Sequence, residues 1–525
     1  MPHEASVLTK LDGLLSAPIT WTNWVKDPNV LAFLSDLQAN ILKGHGRDHT
    51  ANVFVSFDGM KPEEIAGLLT KLSFSVTSAL DQLRSAAAFK SVGISGGRVV
   101  CMFLAASGYV KLGASNPPSD PAFKKGMRGR GALDPLPFPS INTSLPGLND
   151  PPPKDWEQGG AWAVKNPPPD AMVLIADDNA ELVAAAVAEV KASIRAEGAR
   201  VLGVDIGLAQ RRRQATGGNV KGEGIEHFGY VDGRSQPLFL QEDLDQNKEE
   251  QSRKAAELGT NWPKWDEEFA PSQFIVQDPA KRTAFGCGSY FVYRKLEQDV
   301  EAFKRRERQL AGWLGLKGEA RERAGALVVG RFEDGTPVVL HDEAIGGDPT
   351  NNFNYDNDVD VKKTLCPFKG HIRKTNPRTA GDALERRRIM ARRGITYGDR
   401  APRGEGDDFP EDDRPSGNVG LLFMAYMNDI NEQFEFTQAA WAGNPNFKNR
   451  NTGMDAVIGQ RENASGTEQT KWVDGHSAKG GAPLLSASFD FKTAVGLVGG
   501  EYFFAPSISF LQMPLPQVGV GRQQA

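Results

Sequence analysis

Three segments of the sequence place a chemically capable side chain next to glycine. GYVDGRSQP holds the carboxylate of Asp232 between two glycines, which permit a tight bend and the close approach of a large group. His371 follows a glycine in CPFKGHIRKTNPR, and Arg392 lies just before Gly394 in RRRIMARRGITYG. Each segment also has an ordinary interpretation: a solvated turn, a histidine in a basic surface loop, and an arginine in the last turn of a helix.

The surroundings of His371 favour a ligand of iron. Four cationic side chains lie close to it in the sequence, namely Lys369, Arg373, Lys374 and Arg378. Nearby cations disfavour protonation of a histidine, so we expect a neutral imidazole, which can bind iron. Guanidinium groups also pair with carboxylates such as the propionates of haem.

Taken together, the three side chains could split hydrogen peroxide on haem. A proximal imidazole binds the iron, and a distal base moves a proton from one peroxide oxygen to the other. A distal cation stabilises the charge that develops on the departing hydroxide. His371, Asp232 and Arg392 are the candidates for these roles.

The same segments resemble the motifs of the dye-decolourising peroxidases. GYVDGRSQP resembles the family's GxxDG motif, and GHIRKTNPR and RRGITYG are similar to its proximal and distal signatures. GSYFVYRKLEQDVEAF (288–303) and GLLFMAYMNDINEQFEFTQAAW (420–441) resemble further family segments in the expected order. The resemblance extends from about Asp36 to Leu515 and points to the long bacterial branch. Thr396 stands where the family often has proline.

The resemblance implies a haem peroxidase built from two ferredoxin-like domains, with one haem b per chain in the C-terminal half. It implies that the protein reduces hydrogen peroxide and oxidises aromatic dyes and phenols through a ferryl intermediate. By motif position, His371 is the iron ligand, Asp232 the distal acid–base and Arg392 the distal cation. Arg373 matches a propionate-binding position.

The resemblance also implies roles for residues around the haem. Leu421 and Phe423 match apolar residues that line the distal pocket and limit access to small oxidants. Asp455, in TGMDAVIGQ, matches the carboxylate that accepts a hydrogen bond from the proximal imidazole and raises its basicity. Tyr397 and Trp441 match radical-forming aromatics that carry electrons from bulky dyes at the surface. The alternative for both is a packed aromatic side chain.

Hydrophobic periodicity predicts an α+β fold made of two similar halves. In the first half it predicts strands over 51–57, 98–113, 171–178 and 199–210, with helices over 62–83 and 179–198. In the second half it predicts strands over 288–296, 419–427 and 500–511, with helices over 297–316 and up to Gly394. Two βαββαβ units follow, each an antiparallel sheet with helices on one face.

This pattern divides the chain into three parts. We predict an N-terminal ferredoxin-like domain with insertions (1–220), a connection that carries the Asp232 motif (221–286), and a C-terminal ferredoxin-like domain that binds haem (287–525).

Composition argues against several other classes of protein. The net charge of −5 disfavours partners such as nucleic acid or a membrane surface. Three cysteines without paired spacing disfavour a disulfide framework, a zinc ribbon and covalent haem attachment. The N-terminal residues lack the basic and apolar regions of a secretion signal, so a cytoplasmic location is expected.

Two alternative functions use the same haem site. The first is oxidation of Mn²⁺, for which the acidic clusters Asp356/Asp358/Asp360 and EGDDFPEDD (405–413) could supply oxygen ligands. These clusters are more simply solvated loops. The second is haem binding without turnover, which would require the ligand and propionate contacts but neither Asp232 nor Arg392.

Overall fold

The computed structural model covers most of the chain. It describes residues 2–130, 136–138, 143–145, 147–156, 159–164, 168–212, 222–258, 265–346, 351–359, 364–398, 414–448, 452–460, 491 and 494–512. Within these ranges, no helix combines the length and the apolar composition that crossing a bilayer requires.

The described elements are fourteen strands and fourteen α-helices. The strands are β1 (His49–Ser56), β2 (Val99–Leu104), β3 (Leu136–Phe138), β4 (Thr143–Leu145), β5 (Ala171–Asp177), β6 (Arg200–Leu208), β7 (Gln210–Arg211), β8 (Gly224–Ile225), β9 (Val276–Gln277), β10 (Cys287–Gln298), β11 (Ala391–Arg392), β12 (Ile395–Tyr397), β13 (Gly420–Met427) and β14 (Val495–Ala505). The helices are α1 (Pro2–Leu15), α2 (Pro28–Asp36), α3 (Pro62–Ser73), α4 (Ala79–Val92), α5 (Ala106–Leu112), α6 (Pro121–Gly129), α7 (Ala161–Val164), α8 (Ala180–Ala196), α9 (Gln241–Leu258), α10 (Val300–Trp313), α11 (Glu322–Val329), α12 (His371–Thr375), α13 (Ala383–Arg386) and α14 (Ile508–Leu511).

Both halves of the chain form the predicted ferredoxin-like sheet. In the first half the strands pair antiparallel in the order β2-β5-β1-β6. In the second half the order is β11-β13-β10-β14, with β12 also paired to β13. Numbered within each half, both orders are 2-3-1-4, so the two halves repeat one topology. The α+β prediction is confirmed.

The two sheets join into one, which the sequence did not indicate. β14 and β2 meet through the pair Phe504 and Leu104, so ten strands form a continuous sheet. Pairing these two strands covers sheet edges that would otherwise expose unpaired backbone groups. At the far ends, the Thr396 hydroxyl donates to the carbonyl of Leu208 and accepts from the backbone N–H of Gln210. Thr396 therefore links β12 to the opposite edge of the sheet, a contact that proline could not make.

Element boundaries differ from the prediction at three places. The strand predicted over 98–113 ends at Leu104 in β2 and is followed by helix α5. The helix predicted over 62–83 is broken into α3 and α4, because Ser78 caps a new helix by accepting from the backbone N–H of Asp81. The helix predicted to reach Gly394 ends at Arg386 in α13, and Arg392 lies on strand β11. By contrast, α8 matches its prediction and buries an apolar face at helical spacing.

The described part of the connection, residues 222–258 and 265–286, contains a helix and short strands. The charged run that begins at Gln241 forms helix α9, and β9 pairs with the start of β10. The backbone N–H of Gln241 also donates to the carbonyl of Ile19. These contacts hold the Asp232 segment between the N-terminal helices and the second half.

Trp162 packs between the two halves of the molecule. Its ring stacks on Phe54 of β1 at 4.0 Å and meets Tyr293 of β10 edge-on at 5.6 Å. Gly203 and Gly499 leave room for it, because a Cβ at either position would come within 3.1 Å of the indole. Trp162 is 1% exposed, so it fills the core at the junction of two sheets.

We expect Trp162→Ala to lower the free energy of unfolding by about 3–5 kcal/mol, because a large buried ring leaves a cavity. Phe74→Ala is the matched control, since Phe74 is 80% exposed and should shift stability by only about 0.5 kcal/mol. Urea unfolding of both variants measures the difference. Equal losses in the two variants would contradict a packing role for Trp162.

Candidate functional site

A large cavity lies against the sheet of the second half. Its empty space is about 1750 Å³ including the open mouth. Cross-strand pairs form part of its wall, namely Arg294 opposite Phe423 and Leu296 opposite Leu421. Eight of its lining residues lie between 226 and 235, in the connection, and the others lie between 294 and 495.

His371 lines this cavity as the first residue of α12. Its Nδ1 lies 2.8 Å from Oδ2 of Asp455, which is buried. The backbone N–H groups of Val457 and Ile458 donate to the other oxygen of Asp455 and hold the carboxylate in place. Nε2 has no hydrogen-bond partner among the described residues, so it is the nitrogen available to a ligand in the cavity.

The charge environment of His371 differs from the one that the sequence suggested. Arg373 donates to Asp358, and Lys374 donates to the carbonyls of Asn444 and Phe447, so these cations are engaged elsewhere. Burial lowers the pKa of His371, but the charge and hydrogen bond of Asp455 outweigh burial and raise the pKa overall. The predicted suppression of protonation by neighbouring cations is therefore wrong, because their side chains turn away from the imidazole.

The glycines around Asp232 shape the turn that carries it. Gly229 and Gly233 have φ angles of 102° and 83°, which side chains with a Cβ rarely adopt. The backbone N–H of Asp232 donates to Gly224, and its Oδ1 accepts from the N–H of Gly233 at 2.6 Å. Oδ2 has no hydrogen-bond partner in the described part of the chain. The bend therefore presents one free carboxylate oxygen to the cavity.

Arg392 fixes this turn against the sheet. Its guanidinium donates to Oδ1 of Asp232 at 3.3 Å and to the carbonyl of Ser235 at 2.9 Å. Its backbone N–H donates to the side chain of Gln236. Arg392 and Asp232 also influence His371, since Arg392 lowers and Asp232 raises the pKa of the imidazole. The three residues named from their motifs thus share one cavity.

Leu421 and Phe423 occupy the predicted positions in the cavity wall. They alternate with buried residues along β13, so both side chains project from the same face of the sheet. Phe423 packs near Phe434, with ring centroids 6.2 Å apart. Leu421 and Phe423 therefore make this part of the cavity wall apolar.

Arg373 does not line the cavity, and another arginine is better placed for carboxylates. The guanidinium of Arg373 is buried between Asp358 and the rings of Phe368 and Tyr355. Arg331 lines the cavity, is buried and pairs with no carboxylate of the described residues. Its guanidinium donates to the carbonyl of Gly335 and to Asn351. The sequence offered no sign of Arg331, because only the tertiary structure buries it.

The cationic wall fits a ligand that bears carboxylates. Burial and the neighbouring Arg378 lower the pKa of Arg331 to about 9. Arg378 is also buried, and donates to carbonyls and to uncharged side chains. Arg234, which pairs with Glu223, is a further guanidinium that lines the cavity, whereas Arg378 does not line it. A carboxylate group bound here would offset the cost of burying these cations.

A second acid of the cavity was missed by the sequence analysis. Glu226 accepts hydrogen bonds from the backbone N–H groups of Phe228 and Tyr230 and from the side chain of Gln298. Burial raises its pKa to about 7, and Asp232 contributes to the increase. Glu226 lies only three residues before the GxxDG motif, and this closeness is the signal in the sequence that could have identified it.

Tyr397 and Trp441 are not surface residues. They are 8% and 3% exposed, and neither lines the cavity. The ring of Tyr397 lies 5.0 Å from Nζ of Lys295, and Trp441 stacks on Phe447 at 5.3 Å. Both pack into the main hydrophobic core, which is the alternative kept open for them in the sequence analysis.

The acidic clusters proposed for Mn²⁺ are only partly described. Asp358 is buried and binds Arg373 and two backbone N–H groups, and Asp356 accepts from Asn354. Asp360 and residues 405–413 lie outside the described residues. Over the described ranges, no group of three acidic, histidine or cysteine side chains is arranged to hold a metal ion. Asp358 serves a structural purpose.

Known proteins are similar to this chain in fold and in sequence. The chain is 39% identical over 508 residues to "Multifunctional dye peroxidase DyP2" of Amycolatopsis sp., covering 95% of this chain and 99% of the relative. It is 30% identical to a "Dye-decolorizing peroxidase" of Exidia glandulosa over 66% of this chain and 65% of that one. The crystal structure of a DyP-type peroxidase from Anabaena sp. matches with a TM-score of 0.78 and 35% identity, covering 94% of this chain and 97% of that one. A scan against protein-family models finds no match.

We expect Glu226 to make stability depend on pH. Its pKa rises from 4.5 to about 7 on folding, so its protonated form stabilises the fold below pH 4.5 and this contribution disappears as the pH rises through 7. Relative to Glu226→Gln, the wild-type protein should lose about 3 kcal/mol of unfolding free energy across this range.

Urea unfolding at a series of pH values measures this loss. Glu249→Gln, at an exposed position on α9, is the matched control and should follow the wild-type curve. Parallel curves for wild type and Glu226→Gln would show that Glu226 does not take up a proton on folding.

Proposed function

The chain belongs to the dye-decolourising peroxidases, and we propose that it is a haem-dependent enzyme that reduces hydrogen peroxide and oxidises aromatic dyes and phenols. One observation carries the proposal: His371 with its carboxylate partner, and Asp232 with Arg392, line a single large cavity. A haem carrier would need the first pair but has no use for the second.

The cavity offers contacts for one haem b per chain. Nε2 of His371 is available to the iron, and Asp455 holds the imidazole by its other nitrogen. Arg331 and Arg234 are placed to pair with the propionates, in the role that the motif assigned to Arg373. Bound haem supplies the redox chemistry, because its iron accepts the oxidising equivalents of peroxide.

Asp232 and Arg392 divide the work on hydrogen peroxide. The unpartnered Oδ2 of Asp232 accepts the proton of one peroxide oxygen and returns it to the other. Arg392 stabilises the negative charge that develops on the departing hydroxide. Its hydrogen bonds to Asp232 and Ser235 hold the turn of Asp232 against β11, which lowers the cost of orienting the two groups.

The apolar wall restricts what can approach this turn. Leu421 and Phe423 leave room for a small oxidant and exclude bulky reductants, so large dyes give up their electrons outside the cavity. The electron-transfer roles of Tyr397 and Trp441 stay predictions, and as buried residues they would act inside the fold. Oxidation of Mn²⁺ is not favoured, since Asp358 is engaged with Arg373.

We expect His371→Ala to lose most of its haem, because no other histidine of the described residues lines the cavity. His49→Ala is the control, since His49 lies at the start of β1, away from the cavity, and should keep full haem content. Haem per chain is measured from the absorbance of the extracted cofactor. Normal haem content with an unchanged ferric spectrum in His371→Ala would remove His371 as the ligand.

Asp232→Asn and Arg392→Leu should keep their haem but react with peroxide ~10²–10⁴-fold more slowly, as expected for loss of a positioned acid–base group. The double variant should lose less than the product of the two factors, because both residues act on one step. Stopped-flow absorbance at the Soret band gives the rates, with Asp245→Asn on α9 as a surface control.

A wild-type rate in Asp232→Asn would make Asp232 a structural acid. Wild-type protein whose haem merely bleaches on addition of peroxide would support a carrier, and a rapid, reversible Soret change would support the enzyme.

A further inference from the structure

Tyr230 lines the cavity and lies two residues before Asp232 in the sequence. Its hydroxyl is hydrogen-bonded to a residue that does not line the cavity. Its hydroxyl donates to Oε1 of Glu307 on α10 at 2.9 Å, within the protein interior. Its backbone N–H donates to Glu226, which fixes the main chain. A phenol in the cavity wall is therefore joined directly to a carboxylate away from the cavity.

The carboxylate is kept ready to accept a proton. Nζ of Lys304 lies 3.1 Å from Glu307 and also pairs with Glu333. Burial raises the pKa of Glu307 above its ordinary value, although Lys304 acts in the opposite direction. Burial, with the charges of Glu307 and Glu333, also holds the pKa of Tyr230 well above 10. The phenol therefore stays protonated until it loses an electron.

A glycine in helix α11 makes room for this pair. A Cβ at Gly325 would lie 1.9 Å from both the hydroxyl of Tyr230 and Oε1 of Glu307. Glycine inside a helix costs about 1 kcal/mol relative to alanine. The sequence thus carries a helix-weakening residue at a position in α11 where a side chain would clash with both the phenol and its acceptor.

Among all eight tyrosines of the chain, Tyr230 alone combines a carboxylate acceptor with a place in the cavity wall. Tyr293 and Tyr502 also donate to carboxylates, Asp205 and Glu435, but neither lines the cavity. Tyr109 is buried and its hydroxyl has no partner among the described residues. Position and proton acceptor coincide only at Tyr230.

We propose that Tyr230 is a redox-active residue that gives one electron to the peroxide-oxidised cofactor while its phenolic proton moves to Glu307. The inference rests on the proposed function, which supplies the oxidant. The O–H bond of Tyr230 breaks and a new O–H bond forms at Oε1 of Glu307, leaving a neutral tyrosyl radical and a neutral carboxylic acid. An external reductant later returns the electron, and the proton moves back along the same hydrogen bond.

The test uses the haem-loaded protein, mixed with an equimolar amount of hydrogen peroxide without reductant and frozen at successive times. Electron paramagnetic resonance, repeated on protein with ring-deuterated tyrosine, identifies a tyrosyl radical. We expect the radical in wild type and its loss in Tyr230→Phe. Glu307→Gln keeps a hydrogen-bond acceptor but cannot take the proton, so its radical should form roughly 10²-fold more slowly.

Matched variants separate this inference from other sources of radical. Tyr109→Phe, at a buried tyrosine whose hydroxyl has no acceptor among the described residues, should keep the wild-type signal. A signal that persists in Tyr230→Phe, disappears in Tyr109→Phe, or forms at the wild-type rate in Glu307→Gln overturns the inference.

The failure of the proposed function would look different. In that case the wild-type protein would bind no haem, or its Soret band would not respond to peroxide. A normal Soret response without any tyrosyl radical refutes the role of Tyr230 alone. Haem content and melting temperature of each variant show that it is folded, and Glu307→Gln supplies the test if Tyr230→Phe loses haem.

Discussion

The contact of Arg392 with the Asp232 turn holds the functional part of the molecule together. It joins two residues that are 160 positions apart, one on the connection between the halves and one on a two-residue strand. The guanidinium can make this contact because β11 pairs with β13, and this pairing fixes the position of the Arg392 side chain on the sheet. Without the contact to Arg392, the turn would move like an ordinary loop, and the position of the Asp232 carboxylate would not be fixed. Strand pairing therefore sets the geometry of the acid.

A second constraint is the charge buried around the cavity. Arg331 and Arg378 are buried cations supported by carbonyls and uncharged side chains. Groups of this kind are costly unless a partner of opposite charge is bound. A ligand with carboxylates would supply that partner, so part of the binding free energy is already stored in the fold. Asp455 is a buried carboxylate, and two backbone N–H groups that donate to it lower the cost of its burial. It can therefore hold His371 without an added cation.

The wall that carries Asp232 also contains a connected polar network. Glu226, Tyr230 and Glu307 are linked through hydrogen bonds, and Gly325 leaves space for them. Buried networks of this kind specify one arrangement when each member is satisfied. The short GxxDG motif therefore does more than position one carboxylate, because its one aromatic residue, Tyr230, also donates a hydrogen bond to Glu307 on α10.

The sequence by itself determined the fold class and the repeated order of strands and helices, and it named His371, Asp232 and Arg392 as candidates for one site. Those features depend on the local spacing of hydrophobic residues, on the positions of glycines and on short sequence motifs, all of which are visible in the sequence. The tertiary structure decided what long-range packing controls: the joining of two sheets, the strand at Arg392 in place of a helix, and the burial of Tyr397 and Trp441. It also exchanged Arg373 for Arg331 at the cavity wall. The partner of a charged side chain is chosen by neighbours far away in the sequence, and periodicity carries no information about them.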